Sequence, residues 1–372
     1  MPKYLSASQL MENRIRRGDY AIRDLPTEQE LAQELEVSRK TARRAILRLM
    51  DMEIVVRKPY GRLAVNGAHA NLKGQLQLAF LAVAFYSRNS EIWRCSVHRA
   101  VKKIGAVMRP IEFVHWDDPV IPETLSRFDG VFLVPGSEAM PPALLKRFSQ
   151  ARHLVSLEND LSDWGVPSVH LLPPRSIHRL GDYLYQLGHR HIACLNTQPP
   201  DLVIQRRAEQ WLLWQRMHKV EGRLINEPVQ PYGHPAPKAY DVMSRLLGAG
   251  EFKATALVCL TNDAATGAIR ALRDRGLQVG KDVSVCAMEG AMMARLQCPS
   301  LTVLETPEPD VYVELCVDWF ARRTEPWVGA TLIEPPMLSL FRGESTGPAP
   351  ARSSVGTREN LNGEPSADAS GI

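Results

Sequence analysis

Leu25-Pro-Thr-Glu-Gln-Glu-Leu-Ala32, followed after a short gap by Val37-Ser-Arg-Lys-Thr-Ala-Arg-Arg-Ala-Ile-Leu-Arg-Leu49, is the stretch whose reading decides what this chain is built to do. Two short helical patterns meet there at a tight turn. Thr27 and Glu30 form a capping box, in which the hydroxyl accepts from the amide three residues on and the carboxylate reaches back. Leu31, Ala32 and Leu35 give the first helix its apolar face. Ser38 is placed to cap the second helix, leaving amides at its start that attract a phosphate oxygen. Arg39 and Arg43 are four apart and share a face, while Ala42, Ala45, Ile46 and Leu49 form the opposite, inward one. Beyond it, Ile54–Arg57 and Arg62–Val65 read as two strands joined by the turn Lys58-Pro59-Tyr60-Gly61. The expected unit is a winged helix-turn-helix with a basic wing tip, which offers its second helix to a DNA major groove.

Charge agrees with that reading. The chain has 372 residues, 45 Lys+Arg and 41 Asp+Glu, a net +4. Residues 1–70 hold 13 basic and 9 acidic side chains, so the whole excess lies in this segment. A local basic excess suits a module that displaces counterions from a phosphate backbone.

Composition excludes several other classes. No run of 18 apolar residues exists, so no transmembrane helix is expected. The N-terminus lacks the apolar core and cleavage site of a secretory signal. The six cysteines (Cys95, Cys194, Cys259, Cys286, Cys298, Cys316) are scattered, without CxxC or a close Cys/His group. They read as small hydrophobes in a reducing cytoplasm, with no disulfide framework and no metal site. GxSxG, HExxH and a phosphate-binding glycine loop are missing, and His189-Arg190-His191 reads as a capping and packing cluster at a helix–strand junction. An enzyme is therefore not expected, and no cofactor is implied.

From Leu76 the pattern changes. Apolar strands at 76–84, 111–115, 130–134, 153–157, 192–195, 256–260 and 283–287 alternate with helices near 91–104, 142–150, 175–187, 203–218, 237–248 and 263–275. Such alternation predicts parallel sheets in a doubly wound fold, and about 270 residues divide into two lobes with a cleft between them. The expected organisation is a winged helix over 1–66, a polar linker over 67–75, a two-lobed α/β body over 76–343 and, from Glu344, a Gly/Pro/Ser/Ala-rich disordered tail to residue 372.

Two resemblances sharpen these expectations. Gly18-Asp19-Tyr20, Leu25-Pro26-Thr27-Glu28, Leu31-Ala32, Val37-Ser38-Arg39, Thr41, Arg43 and Gly61 resemble the GntR family of bacterial winged-helix regulators over about 65 residues. Gln29 stands where that family has arginine. The resemblance implies DNA contacts from Ser38, Arg39, Lys40, Thr41 and Arg43, and from the wing residues Tyr60, Gly61 and Arg62. The second half resembles LacI-type regulators in Tyr183–Ala193, Asn262-Asp263 with Ala265 and Gly267, Gly276–Val279, Asp282–Val285, Pro299–Val303 and Arg342–Thr346. That likeness implies a periplasmic-binding-protein-like effector domain.

Polar groups at the carboxyl ends of strands are where an open α/β sheet holds a ligand, and buried ligand hydroxyls need partners. Glu158, Arg207, Asn262, Asp263 and Glu289 qualify by position and by the LacI-type resemblance. Trp211 is a further stacking candidate that could equally pack in the core, and Tyr86, Ser87, Arg88 and Trp93 could close the first-lobe wall. The expected protein is a cytoplasmic, homodimeric, DNA-binding regulator, by default a repressor. Its operator affinity answers to a small ligand, in first place a sugar. The rival readings are an extracytoplasmic solute-binding protein, which shares the two-lobed fold, and a regulator with an enzyme-derived body.

Overall fold

A computed structural model describes residues 2–16, 19–20, 25–58, 61–66, 75–85, 87–322 and 326–350. The head contains α1 (Lys3–Arg16), α2 (Glu28–Glu34), α3 (Arg39–Asp51) and an antiparallel pair, β1 (Val55–Arg57) and β2 (Leu63–Val65). Both anticipated caps form. Thr27 Oγ1 accepts from the Glu30 amide at 3.2 Å while Glu30 Oε2 accepts from the Thr27 amide at 2.8 Å, and Ser38 Oγ accepts from the Thr41 amide at 3.2 Å. Each such cap contributes about 1 kcal/mol. Met11, Ile15, Leu31, Ile46, Leu49, Ile54 and Leu63 close the core between the helices and the hairpin. An ion pair between Asp19 and Arg109 joins the head to the body.

The body runs β3 (Gln77–Val83), α4 (Arg88–Lys103), β4 (Val107–Phe113), α5 (Val120–Arg127), β5 (Gly130–Val134), α6 (Pro142–Ser149), β6 (Leu154–Leu157) and β7 (Ser168–Val169). It continues through α7 (Ile177–Gln186), β8 (Ile192–Asn196), α8 (Leu202–His218), β9 (Leu224–Asn226), α9 (Pro235–Gly248), β10 (Ala256–Cys259) and α10 (Asn262–Asp274). The last elements are β11 (Ser284–Ala287), α11 (Ala291–Ala294), β12 (Thr302–Glu305), α12 (Asp310–Ala321), β13 (Leu332–Ile333) and β14 (Ser339–Phe341). They make two six-stranded sheets, ordered β4-β3-β5-β6-β7-β13 and β9-β8-β10-β11-β12-β14. All pairings in the first are parallel; in the second only β14 runs antiparallel.

Near-continuous apolar strands such as Ile192–Asn196 and Ala256–Cys259 are buried on both faces, as parallel strands covered by helices must be. In the first lobe α4 and α12 cover one face of the sheet and α5 and α6 the other. In the second lobe α7 and α8 cover one face, α9 and α10 the other. The chain passes between the sheets three times, after β7, after β12 and between β13 and β14. The doubly wound, two-lobed expectation therefore holds. The elements the sequence pattern did not reveal include β7 and β13, two residues each, too short to carry a period.

One boundary is corrected. A disordered tail was expected from Glu344, but the described chain stays packed as far as Ala349. Ser345 is fully buried. Its hydroxyl donates to the Val285 carbonyl at 2.6 Å and accepts from the Thr302 amide at 2.9 Å. The Gly347 amide donates to Ser284 Oγ at 3.0 Å, and the Ala349 amide to the Leu187 carbonyl at 2.8 Å. Small residues read as low complexity here because they fit against the starts of β11 and β12. Residues 351–372 lie outside the described residues, as do 67–74 of the expected linker. His189 takes the bland role anticipated for it, bonded to Thr255, Ser284 and the Gly347 carbonyl. All six cysteines are free thiols. No described helix is long and apolar enough to cross a membrane.

Gly267 sets the spacing of α9 and α10, since a Cβ there would stand 2.1 Å from the Ala236 carbonyl oxygen. Backbone cannot yield as a side chain can, so Gly267→Ala is expected to lower stability by about 1–3 kcal/mol. A urea unfolding midpoint unchanged from the wild type would contradict this packing.

Candidate nucleic-acid interface and ligand cleft

On the head, Ser38, Arg39, Lys40 and Arg43 are exposed along one side of α3, and Thr41 is half-buried among them. The Ser38 hydroxyl is committed to the cap and lies 2.8 Å from the Thr41 hydroxyl. Arg39, Lys40 and Arg43 form no ion pair with any described residue. Arg44, one position on, instead stacks over the Tyr4 ring at 5.3 Å. At the wing, Gly61 adopts a φ of 81°, which glycine tolerates without strain. Its carbonyl accepts from Arg57 Nη1 at 3.1 Å. Arg57 also reaches Glu28 at 3.5 Å, bracing the hairpin against α2. Arg62 is exposed beside Gly61, and Tyr60 lies outside the described residues. The result is a cationic helix start flanked by a basic hairpin.

In the body, three of the five expected cleft residues converge. Arg207, in the second turn of α8, is 5% exposed. Its Nη1 donates to the Leu260 carbonyl at the end of β10 at 3.0 Å. Both terminal nitrogens approach Glu289 Oε2 at 3.4 Å, and Nε has no partner among the described residues. Glu158 faces them from the first lobe. It sits at the end of β6 with a φ of 69°, unusual for a non-glycine residue. Its Oε1 accepts from Trp93 Nε1 on α4 at 2.9 Å. Burial, and then the like charge of Glu289, push its carboxyl up to about 7. Asp201 caps α8 through the Ile204 amide at 2.8 Å, and burial raises its pKa too.

Asn262 opens α10, with Thr261 as the cap. It lies beside Gly290, the neighbour of Glu289, and accepts from Gln297 Nε2 at 3.3 Å. Asp263 is exposed, and among the described residues no hydrogen bond or ion pair ties it to the others. Trp211 is fully buried and stacked on Trp214 with centroids 5.2 Å apart, a core residue. Of the first-lobe wall, Ser87 caps α4, Trp93 holds Glu158, and Tyr86 lies outside the described residues.

Sequence reasoning missed the contacts that hold the lobes together. Asp160, beyond β6, pairs with Arg206 of α8 at 2.9 Å. The doublet Arg206-Arg207 was the available signal: one arginine points into the cleft, the other to the opposite lobe. Burial works against the Asp160 charge, but Ser162 and Arg206 hold its pKa below the usual value. A cavity of about 300 Å³ adjoins this pair, bounded by His170, Arg175, Gln210 and Glu334. Burial lowers His170 to about 4, so it is neutral at ordinary pH. At the other rim, Tyr232 of the second lobe packs on Phe85 of the first, centroids 5.0 Å apart, and donates to the Val114 carbonyl at 3.4 Å. Tyr232 too has a left-handed φ, 68°.

These groups make stability depend on pH in a stated direction. With Glu158 lifted to about 7, the folded chain binds more protons than the unfolded chain from about pH 4.5 to about pH 7. The contribution of this residue is greatest below that window and lost as pH rises through it. Glu158→Gln should therefore gain about 1–3 kcal/mol over the wild type between pH 5 and pH 8. Urea unfolding of both proteins at the two pH values checks this; a constant difference would mean that Glu158 titrates normally.

Known proteins share both halves. Residues 3–65 match the family described as bacterial regulatory proteins, gntR family, and residues 182–346 match the periplasmic binding protein-like domain. The chain is 30% identical over 192 residues to the HTH-type transcriptional repressor PurR of Salmonella newport, an alignment covering 49% of this chain and 53% of that protein. It is 24% identical over 190 residues to the probable HTH-type transcriptional repressor ExuR of Bacillus subtilis, covering 51% and 56%. The chain thus spans about half the length of the curated relatives it matches. A LacI-family regulator from Enterococcus faecium, solved with bound ribose, superposes with a TM-score of 0.60 at 18% identity, covering 73% of this chain and 99% of that one. The chain therefore joins a head that matches the gntR family of bacterial regulatory proteins to a body that matches the periplasmic binding protein-like domain and has the fold of LacI-family regulators.

Proposed function

We propose that this protein is a homodimeric, cytoplasmic transcriptional repressor whose operator affinity is set by a small polyhydroxylated ligand, a sugar, held between the lobes. One observation carries the reading. The same chain exposes Arg39, Lys40 and Arg43 at a helix start, without an ion-pair partner among the described residues, and turns Glu158, Arg207 and Glu289 inward from opposite lobes. The first group suits phosphates and base edges. The second suits a ligand rich in hydroxyls, each of which needs a partner once buried. Asn262 and Asp263 are assigned to the same cleft wall, and Ser38, Thr41, Tyr60, Gly61 and Arg62 to the DNA surface. The ribose-bound neighbour supports a sugar as ligand, and the relatives named as repressors support the sign of regulation.

Ligand acts here by stabilising one relation of the lobes over another. In a dimer whose bodies supply the main contact, that relation sets the spacing of the two heads, and hence their fit to two half-sites. The coupling is a population shift, limited by how much better the ligand binds one state than the other.

Arg39→Ala should weaken binding to an operator selected from random DNA by about 1–3 kcal/mol if Arg39 reads a guanine. Its melting temperature should not move, because the side chain is exposed and forms no ion pair with any described residue. Unchanged operator affinity would remove Arg39 from the interface. In a thermal-shift screen of sugars, sugar acids, polyols and purines, a sugar should stabilise the wild type, and Arg207→Gln should abolish that shift. A purine as the stabiliser, or a shift that survives Arg207→Gln, would contradict the cleft assignment.

A further inference from the structure

We propose that the cleft selects a polyhydroxylated ligand bearing a protonated amine, an amino sugar or amino polyol, seated between Glu158 of the first lobe and Glu289 of the second. The inference rests on the cleft reading above and narrows it.

The charges facing the cleft do not balance. Glu158, Asp201 and Glu289 stand against Arg207. Arg206, next to Arg207, is paired with Asp160, and His170 carries no charge at neutral pH. Arg207 is also largely committed: its terminal nitrogens serve the Leu260 carbonyl and Glu289. Only its buried Nε lacks a partner among the described residues, which leaves one donor for a neutral acceptor. A carboxylate or phosphate on the ligand would meet uncompensated acidic groups instead of a free guanidinium fork.

Glu158 is held in place but forms no ion pair with any described residue. Trp93 donates to one oxygen only, and the other accepts no hydrogen bond from any described residue. The left-handed backbone at Glu158 fixes the carboxyl at the strand end, the kind of local strain that collects at ligand sites. Glu158 and Glu289 come from opposite lobes, so their repulsion exists only when the lobes are together. An ammonium between them removes that repulsion and donates hydrogen bonds to both. It thereby binds the closed arrangement better than the open one, which is the differential affinity a switch requires.

The test uses the full chain near neutral pH and four matched ligands in each of the gluco, galacto and manno series: the free amine, its N-acetyl form, the parent hydroxyl sugar and the uronate. Thermal shifts are followed by calorimetric titration. In at least one series the amine should stabilise the protein and bind about tenfold or more tighter than its neutral counterparts. In Glu158→Gln and Glu289→Gln that preference should shrink several-fold. Two separate substitutions guard against one failing to fold, and glutamine preserves an acceptor for Trp93. A neutral sugar or uronate that binds as tightly as the amine, with a shift lost in Arg207→Gln, overturns this proposal and leaves the sugar-binding cleft standing. No shift from any member overturns both.

Discussion

Three segments carry the chain between its two sheets, and each parallel sheet depends on chain that has passed through the other lobe. The first lobe cannot complete its core without α12, which enters after β12 of the second, and the second cannot finish its edge without β14, which follows β13 of the first. Everything placed at the carboxyl ends of the strands then faces the same gap. Arg207 reaches Leu260 after β10 and Glu289 after β11, and the charge of Glu289 is felt at Glu158 after β6.

Within that gap the balance of forces is uneven. Hydrogen bonds and an ion pair join the lobes at one end, Asp160 to Arg206, and an aromatic contact joins them at the other, Phe85 to Tyr232. Between the two lie Glu158 and Glu289, whose like charges oppose each other once both are ionised. Half-exposed ion pairs contribute little, on the order of 1 kcal/mol, and a single tilted ring pair about the same. The contact between the lobes is thus held by modest terms against a repulsive one, the near balance that the proposed ligand-driven switch requires.

Much of this was legible in the amino-acid order because the signals were local. The capping box at Thr27 and Glu30, the Ser38 cap and the apolar face of α3 involve residues within a few positions of one another, and the structure reproduces each. Buried strands such as Gly130–Val134 declare themselves by unbroken apolar runs. The order failed where meaning is set at long range. Glu344–Ala349 looks like linker composition, yet Ser345 fits a slot between Val285 and Thr302. Arg207 and Glu289 could be placed at strand and helix ends, but not their mutual contact, which spans 82 positions. Trp211 shows the limit of pattern most plainly: the residue one turn beyond Arg207 is sealed against Trp214 rather than turned to the cleft.

If cleft and head are coupled, each ligand must change the protein's affinity for the other. The sugar giving the largest thermal stabilisation would be titrated into the protein with and without operator DNA, and operator into the protein with and without that sugar. Sugar should weaken operator binding, and operator should weaken sugar binding by the same factor. A sugar that binds in an Arg207-dependent way yet leaves operator affinity unchanged would contradict it, and would show the two halves to be joined but not coupled.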